Sequence, residues 1–286
     1  MARCDLGKTI IDELRLCYMA EPTLLSDLSE IEFGKWRSYD EFTLYRVAHD
    51  HFQYGYDVFY DDGIVARQKV ATLKFGRFGE QEATHYLFYR VENPVLYDSD
   101  LMKCVLRLPE MLGCVFNNFS SIDLCRDYQK NVTRQLISLL RDRDLTAIIN
   151  GKAISKTDDI MTATLTYTLN CTRIKNPTLS IKQAKAVKDK TKGLTLCGYN
   201  KNNEIKTSSH KSYIAEFYDN PRTLHRLEVH QNSAEIKDYL KKYSIVPDIS
   251  LLFDQQFLDK MYEEHLSSLL RFSKGRKPLK WSELLQ

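Results

Sequence analysis

The sequence predicts an α+β protein built mainly on antiparallel sheet, and three observations carry that expectation. Tyrosine is abundant at 17 residues while glycine and proline are scarce at 11 and 7, which suits aromatic side chains on half-buried strands. Several short stretches alternate apolar and polar residues, the period of a strand with one covered face, and stretches of helical spacing interrupt them. Between two of the strand-like runs stands Asp62-Gly63, a strong short hairpin signal.

Taken in order, Ile10 to Ala20 and Phe42 to Ala48 alternate as strands, YGYDVFYDDGIVARQKVATLKFGR forms a hairpin about Asp62-Gly63, and Thr84 to Val91 is an aromatic-rich strand. Asp98 caps a helix carrying Leu101, Val105 and Leu108, with Pro109 disturbing its end. NNFSSIDLCRDYQ reads as a strand with Ile122 and Leu124 on one face and Asp123 on the other. Asn131 caps a helix from Val132 to about Asp142. Further strands are expected at Ala163 to Leu169, Leu194 to Tyr199 and Thr223 to His230. Ser233 is the expected cap of the helix AEIKDYLKKY, and Ile249 to Phe272 reads as one long amphipathic helix before the basic end KGRKPLKW. The strand-plus-helix mixture occurs twice. This suggests a domain over 1–245 made of two packed, pseudo-equivalent halves, about 1–150 and 151–245, followed by a C-terminal helical segment over 246–286.

A chain of 286 residues that is 43% hydrophobic and 28% charged can bury one large core or two modest ones. No apolar run approaches bilayer-spanning length, and MARCDLGKTIIDELRL lacks the apolar core of a signal peptide, so a cytoplasmic protein is expected. The seven cysteines include no C-x-x-C pair and read as reduced thiols, which argues against a zinc ribbon and leaves the sequons at Asn118, Asn131 and Asn170 without meaning.

Charge is unevenly placed. Between Thr172 and Lys211 ten Lys/Arg face two acids, a surplus of eight, so the remainder of this +3 chain stands at −5. Such a run is either a solvated lysine-rich loop or a contact surface for a phosphate backbone. Its place directly before Tyr199 favours the second, with Lys182, Lys185, Lys188, Lys190, Lys192, Lys206, Lys211 and, further on, Arg226 as candidate nucleic-acid contacts.

The stretch GLTLCGYNKNNEIKTSSHKSYIAEFYDNPRTLHRLEVHQN holds the candidate chemistry. A phenol that attacks phosphate needs a cation beside it and a metal held by carboxylates. Tyr199 has Lys201 two places on. Asp123 and Glu228 lie on predicted strands of different halves, and adjacent strands would bring both acids to one face, where they could hold Mg²⁺ or Mn²⁺. Each acid alone reads first as an ordinary solvent-face strand residue, and it is the set with Tyr199 and Lys201 that favours metal ligation. Tyr213 and Tyr218 compete as nucleophiles, and Asp127 is a further candidate ligand. Of the histidines His230, two places after Glu228, is best placed to join a metal, while His49-Asp50-His51 has a charged centre and His225 stands five residues from His230.

SSIDLCRD, GYNKNNEI and LHRLEVHQN, in that order, resemble the three motifs of the replication initiation factor family, which includes the initiators of rolling-circle plasmids and the gene II and X proteins of filamentous phages. The likeness spans about Asn117 to Tyr239, with Ser121 where the family's first motif usually has arginine. It implies a metal-dependent nicking and rejoining of origin DNA through a 5′-phosphotyrosine, leaving a 3′-hydroxyl primer, with Tyr199 as nucleophile, Lys201 as transition-state cation, and Asp123 and Glu228 as ligands. It also implies origin DNA, a host helicase and a polymerase as partners, action in a bacterial cytoplasm, and room for a homodimer. No G-x-x-x-x-G-K-[ST] loop is present. The competing expectation is a DNA-binding protein of a mobile element without catalysis; a tyrosine recombinase fits poorly, because that class is mostly helical.

Overall fold

The computed structural model describes residues 6–49, 51–63, 67–77, 85–154, 177–183, 186 and 193–285. It shows the α+β class: ten strands belong to one antiparallel sheet, a smaller sheet has four, and helices include a C-terminal one. The strands are β1 (Thr9–Met19), β2 (Trp36–Tyr39), β3 (Phe42–His49), β4 (Phe52–Tyr60), β5 (Gln68–Arg77), β6 (Tyr86–Val91), β7 (Val115–Tyr128), β8 (Thr146–Ile149), β9 (Lys152–Ala153), β10 (Leu179–Lys182), β11 (Thr195–Asn200), β12 (His225–Asn232), β13 (Leu270–Lys274) and β14 (Lys277–Pro278). The helices are α1 (Pro22–Ser29), α2 (Ser99–Met111), α3 (Val132–Arg141), α4 (Lys201–Glu204), α5 (Ser212–Phe217), α6 (Ser233–Lys242), α7 (Gln255–Leu269) and α8 (Trp281–Leu284).

The chain divides into two compact units, one of residues 1–11, 123–245 and 250–286, the other of 12–122 with 246–249. The division falls inside β1 and β7 rather than near residue 150, and residues 250–286 belong to the first unit instead of standing apart.

In the second unit the strands follow the order β1-β6-β5-β4-β3-β2. Leu44, Val58, Ala71, Val91 and Leu14 face each other across five strands and are all buried, because direct antiparallel partners share a face. Helices α1 and α2 lie on that face, tied by the hydroxyls of Tyr56, which donates to the Leu28 carbonyl at 2.7 Å, and Tyr89, which donates to that of Val105 at 3.0 Å. Asp98 caps α2 through the amides of Asp100 and Leu101, as its side chain predicts, and Pro109 is accommodated inside the helix.

In the first unit β10, β11, β12 and the end of β7 run side by side. Asn131 caps α3, while α6 is capped by Asn232 rather than the expected Ser233. The long helix expected from Ile249 to Phe272 is broken at both ends. Residues 249–253 form a 3-10 turn, Asp254 caps α7 through the amides of Gln256 and Phe257, and Leu270 turns extended to begin β13. The basic end closes as the β13–β14 hairpin through Gly275 at φ +59°. The strand expected over Ala163 to Leu169 lies outside the described residues.

Candidate active site

The pairing of β11 with β12 sets the site. Thr195, Cys197 and Tyr199 oppose His230, Glu228 and Arg226, so these six side chains share one face. Ser180 and Lys182 of β10 oppose Cys197 and Thr195 and join them. The other face is closed from behind by α7: Tyr262 donates its hydroxyl to the Leu227 carbonyl at 3.2 Å, and His265 Nδ1 meets Gln231 Oε1 at 2.6 Å. Gly198 allows a close approach on that covered side, where a Cβ would meet Leu227 Cδ2 at 3.0 Å and Thr133 Oγ1 at 3.3 Å.

On the site face Tyr199 donates its phenol proton to Glu228 Oε2 at 2.9 Å. Asp123 of β7 is hydrogen-bonded to Nδ1 of His230; its side chain is 13% exposed and that of the histidine 34%. Cys197 lies among these groups. Burial, followed by the charge of Glu228, pushes its thiol up to about 11; a hydrogen bond from Ser180 and the charge of Lys182 oppose this, and Asp123 adds to it. Both predicted carboxylates therefore act on Cys197 from the same face of the sheet, Glu228 bonded to Tyr199 and Asp123 to His230. The structure brings together Tyr199, Glu228, Asp123 and His230, residues separated by up to 107 positions in the chain.

The cations are placed differently from one another. Lys201 is 2% exposed; its Nζ pairs with Glu204 at 3.0 Å and stands 5.6 Å from the centre of the Tyr199 ring. Arg226, expected to contact nucleic acid, is fully buried and grips Asp127 with Nε–Oδ1 at 2.8 Å and Nη2–Oδ2 at 2.6 Å. A guanidinium so enclosed cannot meet a phosphate, and Asp127, held by it, is not available as a metal ligand. Lys182 and Lys211 are half-buried and Lys206 is exposed, whereas Lys185, Lys188, Lys190 and Lys192 lie outside the described residues. Tyr218 is 8% exposed with its ring against Phe217, and Tyr213 sits on the short helix α5. His225 points to the covered side, where burial holds it below the ordinary histidine range.

Sequence reasoning missed two partnerships, Asp123 with His230 and Asp127 with Arg226. Each joins β7 to β12, and the signal for both was the alternation of polar residues at 123 and 127 with those at 226 and 230.

A hard divalent ion binds through oxygen and keeps several waters, taking one or two carboxylates from a protein and further oxygens from a phosphate. Asp123 and Glu228 fit that mode, and the neighbouring imidazole suits Mn²⁺ as well. Among the described residues no three His, Cys, Asp or Glu side chains already converge as a ready-made metal cluster.

No family model, curated protein or solved structure matches the chain.

Proposed function

We propose that this protein nicks and rejoins DNA through Tyr199, as an initiator of rolling-circle replication in the cytoplasm of a bacterial host. The hydrogen bond from the Tyr199 phenol to Glu228 carries the reading. A phenol is a weak nucleophile until a base takes its proton, and the carboxylate that accepts its hydrogen bond is in position to do so. Lys201 brings a positive charge to the same ring and favours the negative charge that gathers on the phenol oxygen during attack. His230 fixes the orientation of Asp123. A bound Mg²⁺ or Mn²⁺ would be held by Asp123 and Glu228 and would supply charge stabilisation to the phosphate oxygens. Attack by the Tyr199 oxygen on phosphorus forms the O–P bond of a 5′-phosphotyrosine and breaks the bond from phosphorus to the 3′-oxygen. That oxygen takes up a proton, from water or from the Glu228 carboxyl that received the phenol's, and so leaves as a hydroxyl that can prime synthesis. The reverse step reseals the strand. The half-buried Lys182 on the site face and the exposed Lys206 support a phosphate-bearing substrate.

The test is incubation with Mg²⁺ or Mn²⁺ and single-stranded or supercoiled replicon DNA, then denaturing electrophoresis and peptide mapping. A DNA adduct on the Tyr199 peptide is expected. An adduct on Tyr213 or Tyr218 moves the nucleophile, and binding without nick or adduct under either metal overturns catalysis in favour of a DNA-binding role alone.

A further inference from the structure

The face of the second unit's sheet opposite α1 and α2 has no part in the chemistry above, yet its composition is unusual. Reading across the register, Trp36, Tyr45, Asp57, Thr72, Arg90 and Arg15 stand in one row over six strands, and Lys74, Phe88 and Cys17 in the next. Large apolar side chains remain open to solvent on it: Trp36 is 49% exposed, Tyr86 43% and Met19, which opposes Tyr86, 50%. Trp36 stands on the edge strand β2, and Met19 and Tyr86 on the interior strands β1 and β6; exposed apolar side chains rimmed by charge mark a surface where something binds.

Cations interleave with the rings. The guanidinium of Arg67 lies 4.2 Å from the centre of the Trp36 ring and 5.4 Å from that of Phe59, and Lys74 Nζ is 5.8 Å from the Phe52 ring, which itself packs on Phe88. Arg15, Lys69 and Arg90 complete a group of five positive charges. Three acids answer them: Glu13 pairs with Arg15 and Arg90, and Asp57 and Glu92 pair with Lys69. The balance stays positive around Lys74, which burial and then the charges of Arg90, Arg15 and Lys69 hold below the ordinary lysine range.

We infer that this sheet face is a binding platform for single-stranded nucleic acid, with bases stacking on Tyr86 and, where they displace Arg67 from the ring that Tyr45 backs at 4.2 Å, on Trp36, and the backbone running past Lys74, Arg90 and the released Arg67. Every base presents a flat π-face, so two open aromatics at separate points of the face, Trp36 on β2 and Tyr86 on β6 with three strands between them, bind without strict sequence, and the cations between them meet the phosphates. A lipid surface would ask for a larger continuous apolar patch. A folded protein partner would leave the cluster of like charges around Lys74 unanswered unless it were acidic. The platform does not depend on the nicking reading, because it uses none of the residues of that site.

The test is fluorescence anisotropy of the full chain with a labelled oligothymidine of about 20 nucleotides, in chelator so that no cleavage intervenes, alongside an oligouridine and a duplex of equal length. Saturable binding with quenching of tryptophan fluorescence is expected. The chain has two tryptophans, Trp36 and the 8%-exposed Trp281, so the quenching should vanish in Trp36→Phe. Trp36→Ala and Tyr86→Ala should each weaken binding about tenfold, the size of one lost base stack. Lys74→Gln should lower the slope of log affinity against log salt by about 0.7, one phosphate contact on a single strand. The oligothymidine and oligouridine arms tell DNA from RNA. Unchanged affinity in both aromatic variants, absence of quenching, equal affinity for the duplex, or a change in sedimentation in place of oligonucleotide binding would each overturn the platform. Both aromatic residues are well exposed, so circular dichroism of the variants should match that of the parent.

Discussion

The Asp127–Arg226 pair shows how much a single contact matters here. Both side chains are completely buried and bonded by two hydrogen bonds, so each neutralises a charge that could not otherwise stay in the interior. Arg226→Leu alone is expected to cost roughly 3–5 kcal/mol in thermal or denaturant unfolding, because it strands the carboxylate. Removing both charges, as Asp127→Leu with Arg226→Leu, should cost far less; equal losses would show that the pair does not carry its own stabilisation. His265 gives a second measurement. It is 6% exposed, and burial drives it down to about 4 from an ordinary 6.5. Between these values the unfolded chain binds a proton that the folded chain refuses. Stability supported by the neutral ring is thus complete above about pH 6.5 and falls as pH drops toward 4, by up to about 3 kcal/mol. His265→Gln should flatten that part of the profile of melting temperature against pH. At the proposed site Tyr199→Phe should remove nicking and adduct formation, and Asp123→Asn or Glu228→Gln should abolish metal-dependent cleavage with affinity for DNA largely kept, all read on denaturing gels. Full cleavage in either carboxylate variant would remove it from the metal site.

At the level of elements, the sequence was most legible where a local rule decides the outcome. The caps at Asp98 and Asn131 and the strand through Asp123 needed only short-range chemistry. Tyr199 and Glu228 could be read as strand residues, but their hydrogen bond depends on the register of β11 with β12, which periodicity alone does not contain. The stretch from 249 to 272 misled because its apolar spacing continues through Asp254 and Leu270, while the backbone is stopped by a cap and by the pairing of β13 with β8. Asp254→Ala should accordingly cost about 1 kcal/mol, the value of a lost cap, measured by chemical denaturation; no change would mean that the helix start is held by packing alone. Arg226 was misplaced for a related reason. A lone arginine on a strand looks like a surface contact, and only the partner 99 positions earlier in the chain reveals its burial.

For the whole molecule, two compact units replace the two sequential halves that alternating strands and helices suggest. Tertiary pairing overrode order in the chain, since residues 1–11 join a unit otherwise built after residue 122. Amide exchange followed by mass spectrometry should sort β3, β4 and β5 into one protection class and β11, β12 and α7 into another. A single class throughout would argue that the units open together.

The non-contiguous make-up of the first unit also has a meaning for biosynthesis. Residues 12–122 can gather their helices and strands while the ribosome is still translating, since domains fold as they emerge. Strands β11 and β12 carry Tyr199 and Glu228 out later, and the helix that closes their rear face, with Tyr262 on Leu227, emerges after both. A chain that stops short of that helix would therefore hold its tyrosine on strands backed by α3 but lacking the cover of α7. Cleaving competence, on the proposed function, would arrive only once α7 has emerged, so synthesis aborted before it would not scatter breaks in the genome of the cell.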